Sequence, residues 1–513
     1  MPPKGPIAGI DGSTPPELPA YESVAAFPEG LLSGSPLESS VMLWTRVDPK
    51  LGGDGIEVRA ELALDASFAD VVATASATAT PDTDHCVHID MTDLAPDSWY
   101  FYRFVAGDAT SAVARTRTAP AADADVSAAN IAFFSCQRYT HGWYTSHRHL
   151  SAQRDLDLVI SLGDYVYDDS EADGITIEGR LDPTEPATDR ATFRKKYELY
   201  RSDPDLQAMH AAAPLVCIPD NHDGRVGPDD DPVFVEGAVE TFFERMPVRR
   251  DPDDPARLHF ETRWGRLFHL WMLDVRQYRS DRLGGQINTA TDPTATNVDR
   301  TILGDAQKTW LKNGLAETDA TWKLIGSSQM FAPSRIADLD DVATRASEPG
   351  RAANAGLYIN GTQWDGYQAE RSELLGHLHD NEIRNTIVLS GDMHWFAAGD
   401  IQVDTDDPAS PYVLSEFVGS SVTSAAGSRF SSDGGPITAA ILPTVRAANS
   451  QVIDYFDVDR HGYGAVKLGA AAAEVDFVSP TTIKEPNAAV EVLASFRIDK
   501  DGDGLTVTAG AQA

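Results

Sequence analysis

Four short apolar runs in this chain each end in residues that bind metal. Residues 131–135 lead into Cys136, and 158–163 into Asp164. Residues 215–219 lead into Asp220, Asn221 and His222, and 387–391 into Asp392, Met393 and His394. Apolar runs of this length, bounded by turn residues, read as buried strands. In open α/β sheets, ligands gather outside the carboxyl ends of the strands. One Gly-Asp at the end of a run is an ordinary turn. Four ends that together carry Cys, Asp, Asn and His describe one metal-centred site.

The rest of the chain fits that frame. From about residue 27 to 120 the signals are β: Ser40–Arg46, 56–64, Val71–Ala79, 85–91 and 99–106 are short runs separated by Pro, Asp and Gly. This spacing predicts a small antiparallel sandwich of the immunoglobulin or fibronectin type over 28–120, preceded by a Pro- and Gly-rich arm over 1–27. Residues 118–126 read as a linker. From about 129 strands alternate with helical patterns at 143–154, Arg190–Arg201, 235–245, 305–317 and 364–381. That alternation predicts a layered α/β domain over 121–513. Adjacent runs at 258–264 and 267–275 predict a hairpin, so the sheet is mixed. The polar segments 171–189 and 284–300 are long enough to be functional loops. Residues 425–450 show no clear pattern, and the glycine-rich stretch 499–504 reads as a hairpin turn.

Composition sets limits. The net charge is −36, from 78 acidic against 42 basic residues. Such a surface repels nucleic acid and anionic lipid, so no specific nucleic-acid complex is expected. No run is long and apolar enough to span a membrane. The first residues carry no apolar stretch, so no signal peptide is expected in this numbering. Cys86, Cys136 and Cys217 lie far apart and form no disulfide framework. Cys86 and Cys217 read as small buried hydrophobes.

The order Gly-Asp-x-x-Tyr (163–167), Asn-His-Asp (221–223) and Gly-Asp-x-His (391–394) resembles that of binuclear metallophosphoesterases. Phosphate ester hydrolysis needs a hydroxide nucleophile at moderate pH and neutralised phosphoryl oxygens, and two metal ions about 3.5–4 Å apart provide both. Asp164 is the natural bridge between them. Tyr167 can reach the same ion, and Cys136 and His394 complete a mixed donor set. With Cys136, Asp164, Tyr167 and Asp392 ionised, a trivalent and a divalent ion leave about one positive charge, which favours a phosphate anion. This points to Fe³⁺ beside Tyr167 and Cys136. It points to a hard divalent ion such as Ca²⁺ beside Asp164, Asn221 and Asp392. Zn²⁺ or Mn²⁺ in one or both sites is the alternative. His222 is either a further ligand or the catalytic acid and phosphate donor. Arg276 and Arg279 are candidates to clamp phosphate, Arg276 with a catalytic role; surface ion pairs are their plain alternative. His141, His147, Arg148 and His149 read mostly as structural.

Several further segments resemble the PhoD family of alkaline phosphatases and phosphodiesterases: 27–36, 41–47, 135–137, 162–167, 273–281, 364–371 and 389–394. The resemblance implies an exported enzyme, periplasmic or secreted, acting at alkaline pH on phosphomonoesters or phosphodiesters, small or polymeric. It implies an iron–calcium centre, with Cys136, Asp164, Tyr167 and His394 at the iron positions. Asp164, Asn221 and Asp392 fall at the calcium positions. Residues 218–223, Ile-Pro-Asp-Asn-His-Asp, depart from the family's usual Trp-Asp-Asp-His-Glu-like form, which leaves Asp220 and Asn221 as alternative ligands. Two rival readings are a phospholipase-D-like phosphodiesterase and a non-catalytic binding protein on the same scaffold.

Overall fold

The computed structural model describes residues 5–170, 175–224, 231–281, 283, 288–289, 295–338, 356–358, 361–405, 407, 409–427 and 441–509. Among these, two large sheets share one core. The first has ten strands. At its centre Ala128–Phe134, Leu158–Ser161 and Leu215–Cys217 run parallel. The antiparallel strands Tyr463–Gly469, Ala472–Pro480, Val490–Asp499 and Leu505–Ala509 extend one side. Leu31–Leu37, Ser40–Arg46 and Cys86–Met91 extend the other. The second sheet has seven strands. Its parallel centre is Phe268–Leu273, Trp322–Ser327, Thr386–Ser390 and Tyr412–Val418. Phe260–Trp264 pairs antiparallel with Phe268–Leu273, as the paired runs predict.

The two-residue period of a strand decides which side chain faces which layer. Ile131, Phe133, Leu158, Ile160, Leu270, Met272, Ile387 and Leu389 meet between the sheets. Their alternates turn outward. Ala132, Phe134 and Val159 pack with Leu206, Met209 and Phe242 on one outer face. Trp271, Leu273 and Val388 pack with Leu311, Leu315 and Leu375 on the other. The fold is therefore helix, sheet, sheet, helix, with parallel strands apolar on both faces.

Helix starts are set by capping. Asp189 and Thr192 form a reciprocal capping box ahead of Arg190–Arg201. Asp203 accepts from the Asp205 and Leu206 N–H groups ahead of Pro204–Ala212, with Pro204 at the first position. The helix expected over 143–154 is shorter, Thr145–Ser151, after a 3₁₀ turn at Tyr139–His141. The one expected over 364–381 is broken into a 3₁₀ turn, Trp364–Gly366, and the helix Gln368–Asp380. The Asp365 carboxylate explains the break, since it accepts from the Ser334 N–H and hydroxyl and from Arg371.

The N-terminal strands serve two cores. Val41 and Leu43 pack with Val58, Ala60, Leu62, Tyr102 and Phe104 of a separate antiparallel sheet. Trp44, on the opposite face of the same strand, joins the core of the large domain, and its indole donates to the Glu244 carbonyl at 2.8 Å. Leu31–Leu37 pairs with Leu215–Cys217 through Gly34 and Leu215, so one sheet crosses residue 120. A β-carbon at Gly34 would lie 2.4 Å from the Leu215 carbonyl oxygen, so the pairing requires glycine there. Val490–Asp499 and Leu505–Ala509 form a hairpin, which places 499–504 at its turn. Parts of three segments, 171–174, 284–287 with 290–294, and 428–440, lie outside the described residues. Among the described residues no helix is long and apolar enough to cross a membrane.

Candidate metal centre

Each candidate ligand follows the carboxyl end of a parallel strand. Cys136 follows Ala128–Phe134, Asp164 follows Leu158–Ser161, and Asp220 follows Leu215–Cys217. From the second sheet, Arg276 follows Phe268–Leu273, Ser328 follows Trp322–Ser327, and Asp392 and His394 follow Thr386–Ser390. The two sets of loops converge. The Gly419 N–H donates to the Ser390 carbonyl, and Ser135 bridges to Ser421. The local backbone is unusual: Cys136, Asp164, Asp392 and His394 have φ of 58°, 51°, 65° and 53°. Left-handed residues other than glycine cost roughly 1–2 kcal/mol each, and such outliers cluster at functional sites. Gly163, at φ 99°, permits the close approach of two loops, because a β-carbon there would lie 2.4 Å from that of Asp220.

Two donor groups share one residue. Cys136, Asp164 and His394 place one ligand atom each within 4.8 Å of one another, and so do Asp164, Asp220 and Asp392. The Tyr167 hydroxyl joins the first group, 3.5 Å from His394 Nε2. His394 Nδ1 lies 2.7 Å from the Ala425 carbonyl, which fixes the proton there and leaves the lone pair on Nε2. A third group, Asp168, Asp169 and His222, borders the first two. Here Arg138 grips Asp169 through two hydrogen bonds of 2.6 Å and lies over the Tyr167 ring.

The electrostatics call for cations. Burial, then Asp164 and Asp392, push the Cys136 thiol well up. Burial, then Asp164 and Cys136, do the same to the Tyr167 phenol. Burial and Asp220 push the Asp392 carboxyl well up, against Arg276. Burial also raises Asp164, with His222 opposing it. Burial disfavours charge on Asp220 too, but Arg276 and Ser328 outweigh it and hold that carboxyl below its usual range. Burial holds His394 down to about 3. For His222 burial acts downward, but Asp164 and Asp168 carry it up to about 9. Buried acids packed this closely repel one another when ionised, and a bound cation inverts that balance. The donor set fits two ions: thiol, phenol, imidazole and carboxylate on one side, carboxylates on the other, with Asp164 common to both.

The structure brings Cys136, Asp164, Tyr167, Asp392, His394 and His222 together. Asn221 stands beside them on the 3₁₀ turn Asn221–Asp223, where its Oδ1 accepts from Arg276 at 3.0 Å. Its neighbour Asp220 places a carboxylate oxygen within 4.8 Å of those of Asp164 and Asp392. Arg276 is only 4% exposed; it donates to Asp220 and Asn221 and lies 3.8 Å from Asp392. Arg279, also buried, donates to the Thr362 carbonyl at 3.3 Å. The His222 ring stacks on Tyr167 at 4.2 Å, its Nδ1 meets Asp168 at 2.8 Å, and its backbone N–H donates to Asp164 at 3.0 Å. Asp223 binds the loops together, accepting from the N–H groups of Tyr165, Val166 and Asp220. The sequence reading missed Asp168, Asp169, Arg138, Ser328, Gln363 and Ser424. Asp168 and Asp169 had a signal, since they directly follow the Gly-Asp-x-x-Tyr motif. Ser424 had none.

The PhoD-like phosphatase family model matches residues 131–477, and the model of its N-terminal domain matches 13–120. Alkaline phosphatase D of Bacillus subtilis (strain 168) is 32% identical over 95% of this chain and 84% of its own length. A solved structure of PhoD superposes with a TM-score of 0.84 at 30% identity, covering 96% of this chain and 94% of that one. A purple acid phosphatase from yellow lupin (Lupinus luteus) seeds shares the fold, with a TM-score of 0.53 at 10% identity, over 93% of this chain and 74% of that one. The chain therefore belongs to the PhoD-like phosphatase family.

Proposed function

We propose that this chain is a phosphoric ester hydrolase working at a two-ion centre bridged by Asp164. One observation carries the reading: a thiol–imidazole group and a carboxylate group meet at the same buried aspartate. Cys136, Asp164, Tyr167 and His394 would hold Fe³⁺. Asp164 and Asp392, with Asn221 or Asp220, would hold Ca²⁺; Zn²⁺ or Mn²⁺ is the alternative. Bound ions would acidify a water and neutralise phosphoryl oxygens.

The chain's own residues supply the rest. Asp168 holds His222 at Nδ1, so Nε2 is the edge that meets a phosphoryl oxygen or the leaving group. Arg276 fixes Asp220 and Asn221 and sets a positive charge beside Asp392, so in this reading it acts on phosphate largely through them. Arg279 is the remaining candidate for contact with substrate.

The substrate class is phosphomonoesters, phosphodiesters or both, and the site lies in a protein exported to the periplasm or the medium. The test is turnover of p-nitrophenyl phosphate and bis(p-nitrophenyl) phosphate before and after metal stripping. We expect loss of turnover on stripping and recovery on return of both ions, with the ratio of the two rates giving the ester preference. Undiminished turnover by metal-free protein overturns the reading. Cell fractionation tests the location.

A further inference from the structure

The loop after Tyr412–Val418 touches three of the proposed ligand residues through a single dipeptide, Ser424-Ala425. The Ser424 hydroxyl lies 2.6 Å from the Tyr167 hydroxyl and 2.8 Å from the Cys136 carbonyl, within donating reach of either oxygen. The Ser424 N–H donates to that same carbonyl at 3.2 Å. The Ala425 carbonyl accepts from His394 Nδ1 at 2.7 Å. The other two polar groups of the dipeptide are anchored from outside. His461 Nε2 lies 2.9 Å from the Ser424 carbonyl, and the Ala425 N–H donates to His141 Nδ1 at 3.1 Å. Every polar group of these two residues is thus engaged, three of them on Cys136, Tyr167 or His394. Ser424 is 1% exposed, so its hydroxyl is shielded from bulk water.

We infer that Ser424 is a positioning residue of the metal centre, holding the Tyr167 oxygen and the Cys136 turn in register while its neighbour Ala425 orients His394. The inference rests on the two-ion reading and deepens it. Packing alone would be served by any small residue. A hydroxyl is needed because a donor must reach the Tyr167 oxygen, which as an ionised ligand only accepts, while the Ser424 N–H serves the Cys136 carbonyl. Outer partners of this kind are typically worth about 10–100-fold in metal affinity or activity.

The experiment compares wild type, Ser424→Ala, Ser424→Thr and His461→Gln as holoenzymes. It measures ions retained per chain during timed exposure to chelator, and the unfolding midpoint of each fully stripped protein. We expect Ser424→Ala to lose ions about 10-fold faster or more, with a stripped midpoint close to that of wild type. Ser424→Thr should recover most of the retention, since it keeps the hydroxyl. His461→Gln, which disturbs the outer anchor, should show a smaller loss in the same direction and serves if Ser424→Ala does not fold. Equal ion retention by wild type, Ser424→Ala and His461→Gln overturns this inference alone. A wild-type protein that holds no ions overturns the two-ion reading, and this inference with it.

Discussion

Arg276 gathers Asp220 and Asp392 by charge, whereas Cys136, Tyr167 and His394 are held mainly by hydrogen bonds from the neutral Ser424-Ala425 loop. On the carboxylate side Ser328 and Gln363 add donors to Asp220 and Asp392. That side carries its own positive charge, so its acids are partly compensated before any ion arrives. The Tyr167 phenol has Arg138 over its ring, but that guanidinium is already paired with Asp169, and burial disfavours the ionised forms of both phenol and thiol, so an ion bound there gains much from neutralising them. In the two-ion reading one fold thus builds a more compensated, oxygen-rich half that would release its ion and a less compensated half that would retain it. Both depend on Asp164.

The comparison breaks most completely at the shared residue. Asp164→Asn should lower kcat/KM by on the order of 10³-fold or more, about 4 kcal/mol of barrier, while the fold survives. Near-normal steady-state kinetics in that variant with both ions bound would remove the bridge. Arg276→Met attacks the compensated half alone. It leaves the Asp220 carboxylate buried opposite Asp392 without its partner, which should cost about 3–5 kcal/mol in urea unfolding. Adding Asp220→Asn should return much of that loss, and a double variant as unstable as the single one would show that the pairing is not what stabilises this half.

Gly163→Ala strains the junction of the loops that carry Asp164 and Asp220. At φ 99° and with Asp220 in the way, it should cost about 1–3 kcal/mol of stability, read by the same unfolding curve. Unchanged stability would mean the two loops separate easily. The gentlest probe is a calcium-selective chelator. It should lower activity reversibly while iron stays bound, and added Ca²⁺ should restore the rate. Restoration by Zn²⁺ or Mn²⁺ but not by Ca²⁺ would reassign the oxygen-rich half.

Strand ends were legible because an apolar run followed by a polar ligand residue is a local pattern. That is why Cys136, Asp164, Asp392 and His394 could be picked out by residue. Asp220 and Asn221 are adjacent, Arg276 bonds both, and the 3₁₀ turn that sets their directions is not visible in composition. The engagement of Arg276 by Asp220 and Asn221 is equally non-local. Ser424 immediately precedes a segment with no periodic signal, and its role exists only once two sheets meet. The strand Ser40–Arg46 reads the same whether it edges a small sandwich or also extends the larger sheet; Gly34 against Leu215 decides that, through tertiary contact. Helix Pro204–Ala212 was overlooked although Asp203-Pro204 is a proper start signal.

The account turns on two unlike ions joined by one aspartate. The most direct test is elemental analysis of the active protein as purified, together with its visible absorption spectrum. The account predicts two ions per chain, one of them iron, and a coloured protein, because Cys136 and Tyr167 bound to Fe³⁺ absorb visible light by charge transfer. A colourless protein, fully active with a single ion or with zinc alone, would contradict it.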